Sequence, residues 1–182
     1  MLGSHVFLGL ALVVAAIGGW SDWRTGHIPN WLTLGALAAA PLLHAGSLIA
    51  AGKSHDALAA VGFSVLGAAA CILVPLLLFR LEAIGGGDVK LLAALGALCM
   101  PMIGVELELY AFLAAAVFAP GRLAYEGKLG KVLGNTLMLV KNPFLPKERR
   151  RRIEPEMLTP LRFGPAIFAG TCGVAFLHWR AP

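Results

Sequence analysis

Ile84-Gly85-Gly86-Gly87-Asp88-Val89-Lys90 places three glycines and a carboxylate between two segments apolar enough to cross a bilayer. A charge at the mouth of a hydrocarbon-spanning helix is costly and usually has a partner or a task. Glycines let the backbone take φ > 0 and come close to another chain, which larger residues resist. From these residues alone Asp88 is a helix cap, an ion ligand or a catalytic acid.

Upstream of the glycines, 57–79 is an unbroken apolar run. Downstream, 89–103 is another, somewhat short of the ~20 residues a span needs. Pro101 and Gly104 near its end suggest a tight hairpin into a further run, 105–120. The same composition recurs at 5–20, at 31–51 with Pro41 as a kink, and at 163–179. The chain of 182 residues is 58% hydrophobic and 14% charged, with mean hydropathy +0.78. Soluble domains carry about 25% charged residues. The expected fold is all-α: a polytopic membrane protein of six transmembrane helices forming one membrane-embedded domain, 1–182. The first run lacks a basic leader and a small-residue cleavage site, so it reads as a retained span.

Nine of the fifteen Lys/Arg and four of the ten Asp/Glu lie between Arg122 and Glu156, so the whole formal charge of +5 sits in one loop. That concentration argues against a nucleic-acid-binding surface. Leu129, Val132, Leu133, Leu137 and Val140 recur there at helical spacing beside Lys128, Lys131 and Lys141. This pattern predicts an interfacial helix held partly by membrane lipid. The Arg149-Arg150-Arg151-Arg152 run reads as a positive-inside anchor. With the Asp22 and Asp88 loops on the inner side, 13 of the 15 basic residues face the cytoplasm. Both termini are then expected outside.

Cys71, Cys99 and Cys172 each stand alone in an apolar run, and the five histidines are scattered. No metal site, disulfide framework or cofactor is signalled. Trp20, Trp23 and Trp31 read as an aromatic belt.

Asp22, at the inner end of the first run, and Asp88, at the inner start of the fourth, share one depth on one face. Two carboxyls that approach closely can share a proton. The ionised one then activates water while the protonated one polarises a scissile carbonyl. The glycines Gly85, Gly86 and Gly87 would let an extended substrate strand come near. Equally, Asp88 could cap its helix and Asp22 pair with Arg24. Spacing leaves both open. If the dyad exists, the helix dipole favours charge on Asp88 and opposes it on Asp22, so Asp22 is expected to hold the shared proton.

Gly-Gly-Gly-Asp-Val-Lys-Leu-Leu-Ala-Ala-Leu-Gly (85–96) resembles the GxGD signature of type IV prepilin peptidases, the A24 aspartic proteases. Asp22-Trp23-Arg24-Thr25-Gly26-His27-Ile28-Pro29-Asn30 resembles the family's first aspartate segment. Phe163-Gly164-Pro165-Ala166 resembles the motif opening its last helix. The resemblance implies that Asp22 and Asp88 are the catalytic dyad. It implies a prepilin or prepilin-like substrate cut at the cytoplasmic face of the inner membrane, after a glycine that ends a short basic leader. Pilus or secretion assembly components are further partners it suggests. Without CxxC motifs or an N-terminal extension, the chain looks like the short CpaA/TadV-type members that process Flp-type pilins and do not methylate. Leu161-Arg162 stands where many members have a proline.

Lys90 is expected to orient a substrate carbonyl, bias the dyad or anchor its helix at the interface. Pro29 and Asn30 are expected to shape the turn into the second run. A transporter binding a cation or proton at Asp22 and Asp88 is the alternative from another class. It is disfavoured because no run is expected to hold an acid away from its ends. A non-catalytic scaffold with the same fold is the third reading.

Overall fold

The computed structural model describes residues 2–125, 130 and 162–180. The expected interfacial helix over 129–140 and the Arg149–Arg152 run lie outside them, as does Leu161. The chain divides into two compact units, Met1–Ala115 with Arg162–Pro182, and Ala116–Leu161. Asp22 and Asp88 belong to the first.

Five α-helices follow in order: α1 (Leu2–Thr25), α2 (Asn30–Ala50), α3 (Ala57–Arg80), α4 (Gly86–Tyr125) and α5 (Gly164–Arg180). Among the described residues four helices are long and apolar enough to cross a membrane: His5–Thr25, Asn30–Ala50, Ser54–Arg80 and Gly86–Phe118. The first run extends further than its polar end suggested, because no helix breaker intervenes before Gly26. That glycine has φ +69° and donates its N–H to the Asp22 carbonyl at 2.9 Å, the left-handed stop that glycine suits. Pro29 then caps α2 at φ −64°, and its carbonyl accepts from Leu32 and Thr33.

The hairpin expected near Pro101 is present. Helical backbone extends from Gly86 to Tyr125 in two arms, and Met100, at φ 61° and ψ 171°, breaks it between them. A Cβ built on Gly104 would lie 2.9 Å from the Gly96 Cα. Eight residues of straight helix would separate them by about 12 Å, so the chain doubles back. The break orphans carbonyls in the arm before it, since Pro101 has no N–H to offer Ala97. Neighbouring helices supply the donors. Ser64 Oγ on α3 donates to the Ala97 carbonyl at 2.8 Å, and His44 Nε2 on α2 lies 3.0 Å from the Leu98 carbonyl, which makes it the protonated ring nitrogen.

The arm from Gly86 to Met100 is the centre of the unit. In the span containing it, 61% of the most apolar stretch is buried, against 22–39% for the other three. Leu91, Leu92, Leu95 and Leu98 are all buried. A helix wrapped by protein does not have to match the bilayer thickness, which explains how so short a run serves. Small residues allow the wrapping: Gly18 on α1 meets Leu91, and Gly67 on α3 meets the backbone of Gly96. Such close crossings are how helices associate in lipid, where burial gives little driving force. On the other side α5 packs along α1. Gly170 lies against the Ala111 backbone, and His178 Nε2 meets Glu106 Oε2 at 2.7 Å.

One expectation fails here. Glu108 lies eight residues beyond the Met100 break, inside an apolar span. It is buried, with Oε1 unpartnered. The hairpin turns at Met100, one residue before Pro101, which carries Glu108 a full two turns into the second arm.

Candidate active site

Asp22 lies in the last turn of α1 and Asp88 in the first turn of α4. Both are buried, at 7% and 5% exposure, against the strong tendency of carboxylates to stay in water. They are within electrostatic reach of each other, and their charges repel when both are ionised.

Each is held by a backbone amide. Asp88 Oδ2 accepts from the Gly85 N–H at 3.1 Å, while the Gly85 carbonyl accepts from the amides of Asp88 and Val89. This is the reaching-back half of a capping box, with the acid at the third helical position. The cap reading of Asp88 is therefore realised, with one oxygen only. Oδ1 is buried and has no hydrogen-bond partner. Asp22 Oδ2 accepts from the Gly164 N–H at 2.9 Å, the first amide of α5 and one of the orphan donors every helix start presents. The dipole asymmetry expected from each aspartate's own helix is opposed at Asp22, which also faces the N-terminus of α5. Sequence placed Asp22 only relative to its own helix; α5 comes from 142 residues away.

The expected Asp22–Arg24 pair is replaced by other contacts. Arg24 lies over the Trp20 ring, 4.8 Å from its centroid. Arg162 reaches across to the Trp23 carbonyl, a contact not foreseen, although its departure from the family's usual proline marked the position. The turn between Asp22 and Pro29 is tied down by Ser21 Oγ donating to the His27 carbonyl at 2.8 Å and by Thr25 Oγ1 donating to the Ser21 carbonyl at 2.8 Å.

The glycines act by close approach. None of Gly85, Gly86 and Gly87 has positive φ; among the described residues the glycines that do are Gly26 and Gly52. A Cβ on Gly87 would stand 3.2 Å from the Ile28 Cβ, and one on Gly86 3.4 Å from the Phe79 ring. Ile28 is itself buried and wedges the Asp22–Asn30 segment against the glycine loop, another contact that local sequence did not flag. Lys90 Nζ donates to Asn30 Oδ1 at 2.9 Å, so the start of α4 is pinned to the start of α2. Asp22, Asp88, Lys90, Asn30, Pro29 and the three glycines are thus brought into one neighbourhood. The fold places two buried carboxyls at two helix ends, one with an unpartnered oxygen, against a glycine backbone. No group of three or more His, Cys, Asp or Glu able to hold a metal occurs among the described residues.

No curated protein matches the chain, and no solved structure does. A family model, the type IV leader peptidase family, matches residues 7–120, which contain both aspartates, the Ile28-Pro29-Asn30 turn and the glycine loop. That match covers well over half of the chain, and with it the chain belongs to the type IV leader peptidase family.

Proposed function

We propose that this protein is an aspartic endopeptidase that removes the short basic leader of a type IV prepilin, using Asp22 and Asp88 as a dyad. The observation that carries the reading is the burial of both carboxyls within electrostatic reach of each other in a member of a leader peptidase family. A pair of close carboxyls accommodates one proton between them. The ionised member takes a proton from water, the protonated member polarises the scissile carbonyl, and the two exchange roles as the tetrahedral intermediate collapses. The unpartnered Asp88 Oδ1 is where the attacking water is held, since Oδ2 is engaged by Gly85.

Glycine on the substrate side of the scissile bond matches a site whose own backbone is glycine, because two chains without side chains approach closely. The substrate is a prepilin of the Flp type, and the enzyme is a single domain of six spans in the inner membrane, with termini periplasmic and dyad facing the cytoplasm. Pilus or secretion components would receive the mature product. Lys90 acts through Asn30, holding the α4 start in place.

Co-expression with a pilin precursor, followed by precursor size on a gel, tests this. Asp22→Asn and Asp88→Asn are each expected to abolish cleavage. Cleavage that survives either change removes that residue from the mechanism.

A further inference from the structure

Beside Asp22 the surface holds a feature that the cleavage chemistry does not use. Ala16, Gly19, Trp20, Trp23, Pro165 and Phe168 line an apolar groove of about 440 Å³ between α1 and α5. Its floor is low because Gly19 has no side chain: a Cβ there would stand 3.0 Å from the Gly164 carbonyl oxygen and 3.2 Å from the Phe168 Cβ. Its walls are exposed indoles, Trp20 at 62% and Trp23 at 57%. A guanidinium contacts each tryptophan residue, one at its ring and one at its backbone. Arg24 lies over the Trp20 ring, and Arg162 holds the Trp23 carbonyl. No ion pair joins either arginine to a carboxylate among the described residues. Each has five N–H donors, of which the contacts among the described residues use few.

An occupant that complements this surface has a long apolar body and an anionic group at the level where the tryptophans stand. A phosphate meets guanidinium forks bidentately, and indoles favour the bilayer interface. We propose that the groove is a site for an anionic phospholipid, with one acyl chain lying along Gly19 between Trp20, Trp23 and Phe168 and the headgroup phosphate held by Arg24 and Arg162. The hydrophobic segment of a substrate fits the groove less well, since a basic leader would bring positive charge to two arginines. This site is independent of the dyad reading.

Quenching of tryptophan fluorescence by lipids with brominated acyl chains tests it, in the full chain carrying Trp31→Phe and Trp179→Phe so that only Trp20 and Trp23 report. Brominated phosphatidylglycerol is expected to quench with roughly tenfold higher apparent affinity than brominated phosphatidylcholine, given two basic residues at an anionic surface. The preference should persist in Arg24→Lys/Arg162→Lys and vanish in Arg24→Gln/Arg162→Gln. It should also vanish in about 1 M salt, where the Debye length is about 3 Å. If the Gln pair fails to fold, the salt titration and the Lys pair decide. Equal quenching by the two lipids means ordinary boundary lipid and overturns the proposal. A preference that survives in the Arg24→Gln/Arg162→Gln pair, where both positive charges are gone, or in high salt, overturns it too. So does relief of quenching by a pilin hydrophobic segment regardless of headgroup charge, which would give the groove to the substrate.

Discussion

The Gly164 amide donates to Asp22 Oδ2 at 2.9 Å, so the first turn of α5 holds a carboxyl that belongs to the last turn of α1. The two backbones are close enough that a Cβ on Gly164 would lie 2.7 Å from the Asp22 Cβ. Gly164→Ala must therefore push Asp22 aside. A displacement of about 1 Å at a reacting group can cost 10²-fold in rate, and a loss of that order in precursor cleavage is the expected outcome. Wild-type cleavage by Gly164→Ala, with the protein folded, would show that the α5 amide does not position Asp22.

Asp88 divides its oxygens between a cap and a free position. Asp88→Asn keeps an acceptor for the Gly85 amide, whereas Asp88→Ala removes it. Thermal unfolding in detergent should place Asp88→Ala about 1 kcal/mol below Asp88→Asn, with cleavage lost in both. Equal stability would mean that the Gly85 bond contributes nothing to the fold.

Lys90 and Asn30 form an exposed pair, for which a coupling of about 1 kcal/mol or less is expected. Lys90→Ala, Asn30→Ala and the double variant complete a cycle in which the double should cost no more than the larger single. Additive losses would separate the two residues.

The reversal at Met100 depends on donors from other helices. Ser64→Ala strands the Ala97 carbonyl, which faces Pro101, and His44→Ala strands the Leu98 carbonyl. Each is expected to cost about 1–3 kcal/mol, as for a buried polar group left unpaired. Unfolding temperatures unchanged by both substitutions would mean that water or another group takes their place.

Gly67 lies against the Gly96 carbonyl, where a Cβ would come within 2.2 Å of the oxygen. Gly67→Ala is expected to prevent stable folding, seen as loss of membrane-inserted protein on expression. Gly62, on the same helix with nothing within 4 Å, is the control: Gly62→Ala should gain up to about 1 kcal/mol from helix propensity. Similar yields of the two variants would exclude a close α3–α4 crossing at Gly67.

Much of the fold can be read from local composition. Asn30–Ala50, Ala57–Arg80 and Gly164–Arg180 each begin and end within a residue of the expected runs, because an apolar stretch must leave water and must satisfy its backbone as a helix to do so. Gly26, Pro29 and the Pro101 reversal are punctuation of the same local kind. Asp22 and Asp88 also stand out on one line of sequence, since an acid at the end of an apolar run has an immediate cost.

What the residues determined alone was therefore which segments become helices and which carboxyls stand where leaving water is costly. Tertiary structure decided the rest: that α5 delivers the Gly164 amide to Asp22, that Ile28 wedges against Gly87, that Ser64 and His44 cap a broken helix, and that Glu108 is buried. Composition reports how each residue partitions between water and an apolar phase, a property of the residue and its near neighbours. Contact between positions as far apart as Asp22 and Gly164 depends on how helices cross, which is set by shape complementarity summed over whole faces.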